Sequence, residues 1–172
     1  NIQKRSCAKV IAPFLRPASR SGDNSTDAEW LHHLLLWFEN SGKGLPEFVL
    51  IMRPTSPLRS EYNVQRAIKM ALKSKSSLRC VTKIPRKMHH KWSIQRAGCQ
   101  FETVFDNGFA TRSQDLTDTY FPNGLYDIVY VPEFLKTGVL YGKKFLTSIE
   151  SIEVINDLDV PEDVDALISN WD

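Results

Sequence analysis

The chain predicts an α/β domain in which helices flank a mostly parallel sheet. Two short apolar runs carry that reading, Phe48–Met52 and Leu78–Ile84, because a helix-patterned segment lies between them and the connections are short and polar. Strand, helix, strand in that order is the signature of a βαβ unit. Composition agrees: 172 residues, 42% hydrophobic and 24% charged, suffice for one globular domain with a core, so residues 1–172 read as a single domain.

The first helix is expected over Asp27–Asn40. Leu31, Leu34, Leu35 and Phe38 fall at helical spacing, Asp27 is placed to cap the start, and Ser41, Gly42 and Gly44 close the end. Phe48–Met52, bounded by Pro46 and Pro54, suits a central strand buried on both faces. Ser60 is placed to cap a second helix to about Lys73, since Val64, Ala67, Ile68, Ala71 and Leu72 share one face. From Pro85 to Asp118 the pattern weakens into short pieces, Trp92–Ile94 and Phe101–Phe105, and the region reads as an insertion over the sheet edge. Leu125–Val131 follows as a strand, Pro132–Lys136 as a short helix, Ile152–Ile155 as a last strand and Pro161–Ile168 as a terminal helix. Pro161 suits a first helical turn, where Glu162 and Asp163 complement the helix dipole.

Bulk properties narrow the function classes. The net charge is +2 and the basic residues are scattered, which argues against a nucleic-acid partner. No apolar run approaches the roughly 20 residues that span a bilayer, so no membrane role is expected. Cys7, Cys80 and Cys99 have neither disulfide nor zinc spacing, and the chain reads as cytoplasmic. His32 and His33 point about 100° apart on a helix and do not share a metal. His89 and His90 lie in a basic stretch that is either a solvated loop or a cover for an anionic ligand. Trp30, Trp37 and Phe38 read as core and dimer surface.

The segment with most chemistry is Arg53-Pro54-Thr55-Ser56-Pro57-Leu58-Arg59. Two prolines stiffen a turn at the carboxyl end of a strand, where open α/β sheets place ligands, and two arginines flank it. Asp157 and Asp159 are two apart at a strand end and so point the same way. Hard carboxylate oxygens suit Mg²⁺, although an acidic pair before a helix also serves as helix-start chemistry. Gly42-Lys43-Gly44 follows a helix and precedes a strand, the wrong end for a phosphate loop.

The 53–59 segment resembles the Pro-Thr-Ser-Pro-Leu-Arg motif of the acylneuraminate cytidylyltransferase family, and three further segments match that family in order. They are Phe14-Leu15-Arg16-Pro17 with Gly22-Asp23; Arg112-Ser113-Gln114-Asp115-Leu116 with Tyr120-Phe121-Pro122-Asn123-Gly124; and Asp157-Leu158-Asp159-Val160-Pro161-Glu162-Asp163. The chain departs from the family pattern at Arg53, where the best-known members have Gln, at Ser113, at Val160 in place of a capping Thr, and at Asp127 after the Asn-Gly.

The resemblance implies a Rossmann-like domain of the nucleotide-diphospho-sugar transferase type that joins CTP to a sialic-acid-like 3-deoxy-2-keto sugar acid and releases pyrophosphate. It implies Arg16 with Ser25 or Thr26 at the cytidine end, and Arg53, Thr55, Ser56 and Arg59 in the central cleft, with an arginine gripping the sugar carboxylate. Arg112, Gln114, Tyr120 and Asn123 would complete the sugar-acid site, while Asp157 and Asp159 would hold Mg²⁺ and help deprotonate the attacking hydroxyl. Residues 85–118 would form a dimerisation arm, giving a homodimer. The family's Gly-Gly-Ser-Lys-Gly type loop has no counterpart and the chain opens at Asn1, so a domain incomplete at its N-terminus, of low stability in isolation, is expected. Alternatives are a non-catalytic sugar-nucleotide binding module and a related 3-deoxy-octulosonate or legionaminate-type cytidylyltransferase.

Overall fold

The computed structural model describes residues 14–17, 21–22, 24–151 and 165. The chain folds as a mixed α/β unit. In order, α1 (Asp27–Asn40), β1 (Phe48–Ile51), α2 (Glu61–Ser74), β2 (Leu78–Lys83), the hairpin strands β3 (Ile94–Ala97) and β4 (Gln100–Thr103), β5 (Tyr120–Tyr130), α3 (Val131–Thr137) and β6 (Leu146–Glu150) follow one another. The last strand expected at Ile152–Ile155 and most of the terminal helix lie outside the described residues.

Both long helices start on side-chain caps. Ser60 caps α2 as expected, its hydroxyl accepting from the Asn63 N–H. At α1 the cap is Thr26, not Asp27. Its hydroxyl accepts from the Glu29 N–H while the Glu29 carboxylate accepts from the Thr26 N–H, a reciprocal arrangement that a Thr-x-x-Glu spacing allows.

The main sheet has the order β1-β5-β2-β6. Among the described residues β5 is antiparallel to both β1 and β2, and only β2–β6 is a parallel ladder, which corrects the expectation of a mostly parallel sheet. It follows that β1, β2 and β6 run in one direction and β5 alone is reversed. The reason lies in the insertion: the chain leaves the end of β2 at Lys83 and returns beside it at Tyr120, where the two residues are register partners. A strand that begins where its neighbour ends can pair with it only antiparallel. An apolar run reads the same in either direction, so the sequence pattern carried no sign of the reversal. β1 is also not central; among the described residues it is an edge strand, with three of its four residues only half-buried.

Alternating side chains send two cores to opposite faces. Phe48, Leu50, Tyr126, Ile128, Leu78 and Cys80 pack with Ala67 and Ala71 of α2. Val49, Ile51 and Val129 pack with Leu31 and Leu35 of α1 and Phe134 of α3. The sheet is therefore covered by helices on both sides.

The 85–118 insertion carries the β3–β4 hairpin, exposed along its whole length. Its roots are tied down by short links. His89 is buried; its Nδ1 accepts from the Lys91 N–H at 3.2 Å, so Nε2 carries the proton and donates to the Thr117 carbonyl at 3.1 Å. Lys83 pairs with Asp118 at 2.7 Å. Among the described residues no helix is long and apolar enough to cross a membrane.

Candidate functional site

β1 ends at Ile51 and the chain turns through 53–59 beside the first half of β5, at the edge of the sheet where β1, β2 and β6 all terminate. The turn is stapled from within. The Ser56 N–H donates to the Arg53 carbonyl at 3.3 Å. The Arg59 guanidinium donates to the same carbonyl and to the Leu125 carbonyl on β5, and burial lowers the pKa of that guanidinium. Arg59 thus locks two chain segments 66 residues apart in sequence.

On β5, buried Asn123 continues the web. Its side-chain oxygen accepts from the Leu125 N–H at 3.2 Å and its amide donates to the Thr82 hydroxyl at 3.0 Å, which in turn donates to the Glu150 carbonyl at 3.2 Å. Gly124 takes φ +73°, a left-handed conformation that suits glycine. A Cβ there would lie 3.7 Å from the Ser56 hydroxyl and 4.0 Å from Cδ of Arg53, ordinary contact distances, so Gly124 packs directly against Ser56 and the Arg53 stem. Ser56 is 1% exposed, and its hydroxyl has no hydrogen-bond partner among the described residues. A buried unpaired hydroxyl is costly.

Arg53 carries the charge of the site. It pairs with Asp27 at the start of α1 and with Asp127 on β5, the latter at 3.1 Å. Burial works against its charge, but the hydrogen bond to Asp127 and the fields of both carboxylates outweigh it, and its pKa is raised. Arg79 adds a longer ion pair to Asp127 at 3.6 Å, beyond hydrogen-bond reach, and its buried Nε has no hydrogen-bond partner among the described residues. Arg79 lies 4.3 Å above the ring of Tyr141, whose hydroxyl is pushed up by burial and by Asp127 and has no partner among the described residues. Two aspartates and two arginines leave this cluster formally neutral.

The opposite face holds a different arrangement. The Tyr126 hydroxyl bonds Ser148 at 2.9 Å and donates to Glu150 at 2.7 Å, while Asn63 donates to the other Glu150 oxygen at 2.7 Å. Burial pushes the Tyr126 hydroxyl up.

Of the residues singled out from sequence, Arg53, Thr55, Ser56, Arg59 and Asn123 are brought to this one edge. Tyr120 is on the same strand, paired across to Lys83 and partly exposed. Arg112 and Gln114 lie exposed on the returning segment of the insertion, and Arg112 is paired with Asp115 at 2.8 Å. Arg16 is exposed beside Phe14, which packs edge-on against His33 of α1. The Ser25 N–H closes a turn onto the Gly22 carbonyl, and Thr26 is the α1 cap. Asp157 and Asp159 lie outside the described residues.

Sequence did not single out Asp27, Arg79 or Asp127 for this site, although a lone Asp inside the apolar run 125–131 was a usable signal. Among the described residues no group of three His, Cys, Asp or Glu side chains could hold a metal. Asp127, the most buried carboxylate here, is already engaged by two arginines. No protein-family model and no curated protein sequence matches the chain.

Proposed function

We propose that the chain is the Rossmann-like core of a cytidylyltransferase that joins CTP to a sialic-acid-like 3-deoxy-2-keto sugar acid. The observation that carries this reading is the meeting of two of the four family-like segments, Arg53–Arg59 and the Asn123-Gly124 pair, at the edge where three co-directional strands end. Ligands of open α/β sheets bind at that kind of edge. The chemistry fits an anionic substrate: the turn carries a partly exposed guanidinium, Arg53, and a buried hydroxyl, Ser56, that has no hydrogen-bond partner among the described residues.

In this reading Arg53 and Ser56 receive the sugar carboxylate, Arg59 keeps the turn rigid rather than touching substrate, and Asn123 holds β5 in place beneath it. Asp157 and Asp159 are the residues that would hold Mg²⁺, which would neutralise charge on the phosphates when bound. Arg112, Gln114 and Tyr120 would close over the sugar from the insertion, and Arg16 with Ser25 or Thr26 would meet the cytidine. A homodimer built through the exposed 85–118 hairpin belongs to the same reading.

The test is Mg²⁺-dependent pyrophosphate release from CTP, with and without N-acetylneuraminate and related sugar acids, for the wild type and an Asp157→Asn, Asp159→Asn variant. Release that needs both the sugar acid and the aspartates is expected. Binding of a sugar acid with no release would identify a binding module instead, and neither binding nor release by folded protein would sink the proposal.

A further inference from the structure

Within that reading, we propose that Asp27 is a built-in competitor for Arg53, displaced when the carboxylate of the acidic sugar docks on the same guanidinium. The two carboxylates on Arg53 are not equivalent. The Asp127 side chain is 2% exposed, sits in the middle of β5 and has a second, longer ion pair to Arg79. The Asp27 side chain is 37% exposed and lies on the first turn of α1. One contact is fixed by the sheet, and the other is within reach of water and solutes.

Electrostatics favour exchange over addition. With Asp27 in place the Asp27, Arg53, Asp127 and Arg79 cluster sums to zero, so it offers an incoming anion little net attraction. A ligand carboxylate that takes the place of Asp27 on Arg53 keeps the number of anions in contact with the two arginines unchanged. Exposed ion pairs are weak, and an anion gripped at two points on a guanidinium in a partly enclosed site is stronger. Asp27 has other partners when it lets go: its second oxygen already accepts from the Trp30 indole N–H at 3.0 Å, and the start of a helix favours negative charge.

The Ser56 hydroxyl is a second polar group in the same turn. It is 1% exposed, lacks a hydrogen-bond partner among the described residues and lies against Gly124 next to the Arg53 stem. Within this proposal it is available to a carboxylate that docks on Arg53.

The experiment titrates N-acetylneuraminate, and separately its methyl ester, into the full chain as wild type, Asp27→Asn and Arg53→Gln, by calorimetry, with folding checked by thermal unfolding. Asn at position 27 keeps the acceptor for Trp30. The expected result is that Asp27→Asn binds the free acid about 2- to 5-fold more tightly, the scale of one exposed ion pair removed from competition, while Arg53→Gln loses at least roughly tenfold. The ester is expected to show no such gain. Unchanged or weaker acid binding by folded Asp27→Asn, with wild type binding normally, would overturn the competitor and leave the proposed function standing. An equal gain with the ester would also overturn it, because the carboxylate would then play no part. Absence of binding in every folded variant would overturn both.

Discussion

Tyr126 and Asp127 are neighbours on β5, yet they anchor two polar systems of opposite character on the two faces of one sheet. On the α2 face a single buried carboxylate, Glu150, is surrounded by neutral donors from Tyr126 and Asn63. On the α1 face two carboxylates are met by two arginines, and part of that cluster reaches solvent. Neutral donors around one buried acceptor give a fixed arrangement that salt barely screens. Ion pairs with half-open members can change partners, and that is the face turned to the candidate cleft.

The largest effect expected from breaking this contrast comes from Asp127→Asn. It leaves Arg53 and Arg79 without their common anion, and urea unfolding should show a loss of about 3 kcal/mol, the scale for removing one partner of a buried pair. A loss under about 1 kcal/mol would mean that both arginines relax into water and that the cluster is not a structural unit. Tyr126→Phe on the other face deletes one donor to Glu150 and one link to Ser148, for a loss of about 1 to 2 kcal/mol. That loss should stay the same between low and high salt, whereas the Asp127→Asn loss should shrink, since screening acts on the partly exposed pairs. Thr26→Ala, which opens the start of α1 beneath Asp27, should cost about 1 kcal/mol in thermal unfolding. A null result there would show that packing of Leu31 and Leu35 alone sets the helix start.

Much of the fold was readable because local signals agreed with the tertiary result. α1, α2, β1 and β2 were all anticipated within a residue or two from periodicity and caps. The misses have physical causes. β6 went unread because its alternation is inverted: Ser148 and Glu150 point inward while Ile149 is 51% exposed, so Leu-Thr-Ser-Ile-Glu does not look like a half-buried strand. The start of β5 went unread because Pro122, Asn123 and Gly124 look like a turn, and the strand absorbs them only with a register shift opposite Arg79 and Val81. At the site, sequence located the 53–59 turn and Asn123 but not what they are tied to. The partners of Arg53 lie 26 and 74 residues away, a separation that no local pattern encodes.

The adjacency of Tyr126 and Asp127 also bears on how the chain finds its alignment. β5 is reversed and arrives after a long excursion, so its pairing with β1 and β2 is set by no tight hairpin. Sliding it by one residue would turn every side chain to the other face. The carboxylate would then face the α2 layer and the phenol the α1 layer, so Arg53 and Arg79 would lose their common anion and Glu150 its Tyr126 donor, with only Asp27 left on Arg53 and Asn63 left on Glu150. Apolar residues alone would tolerate such an error better. The two polar neighbours therefore favour the native register of β5 over a one-residue slip.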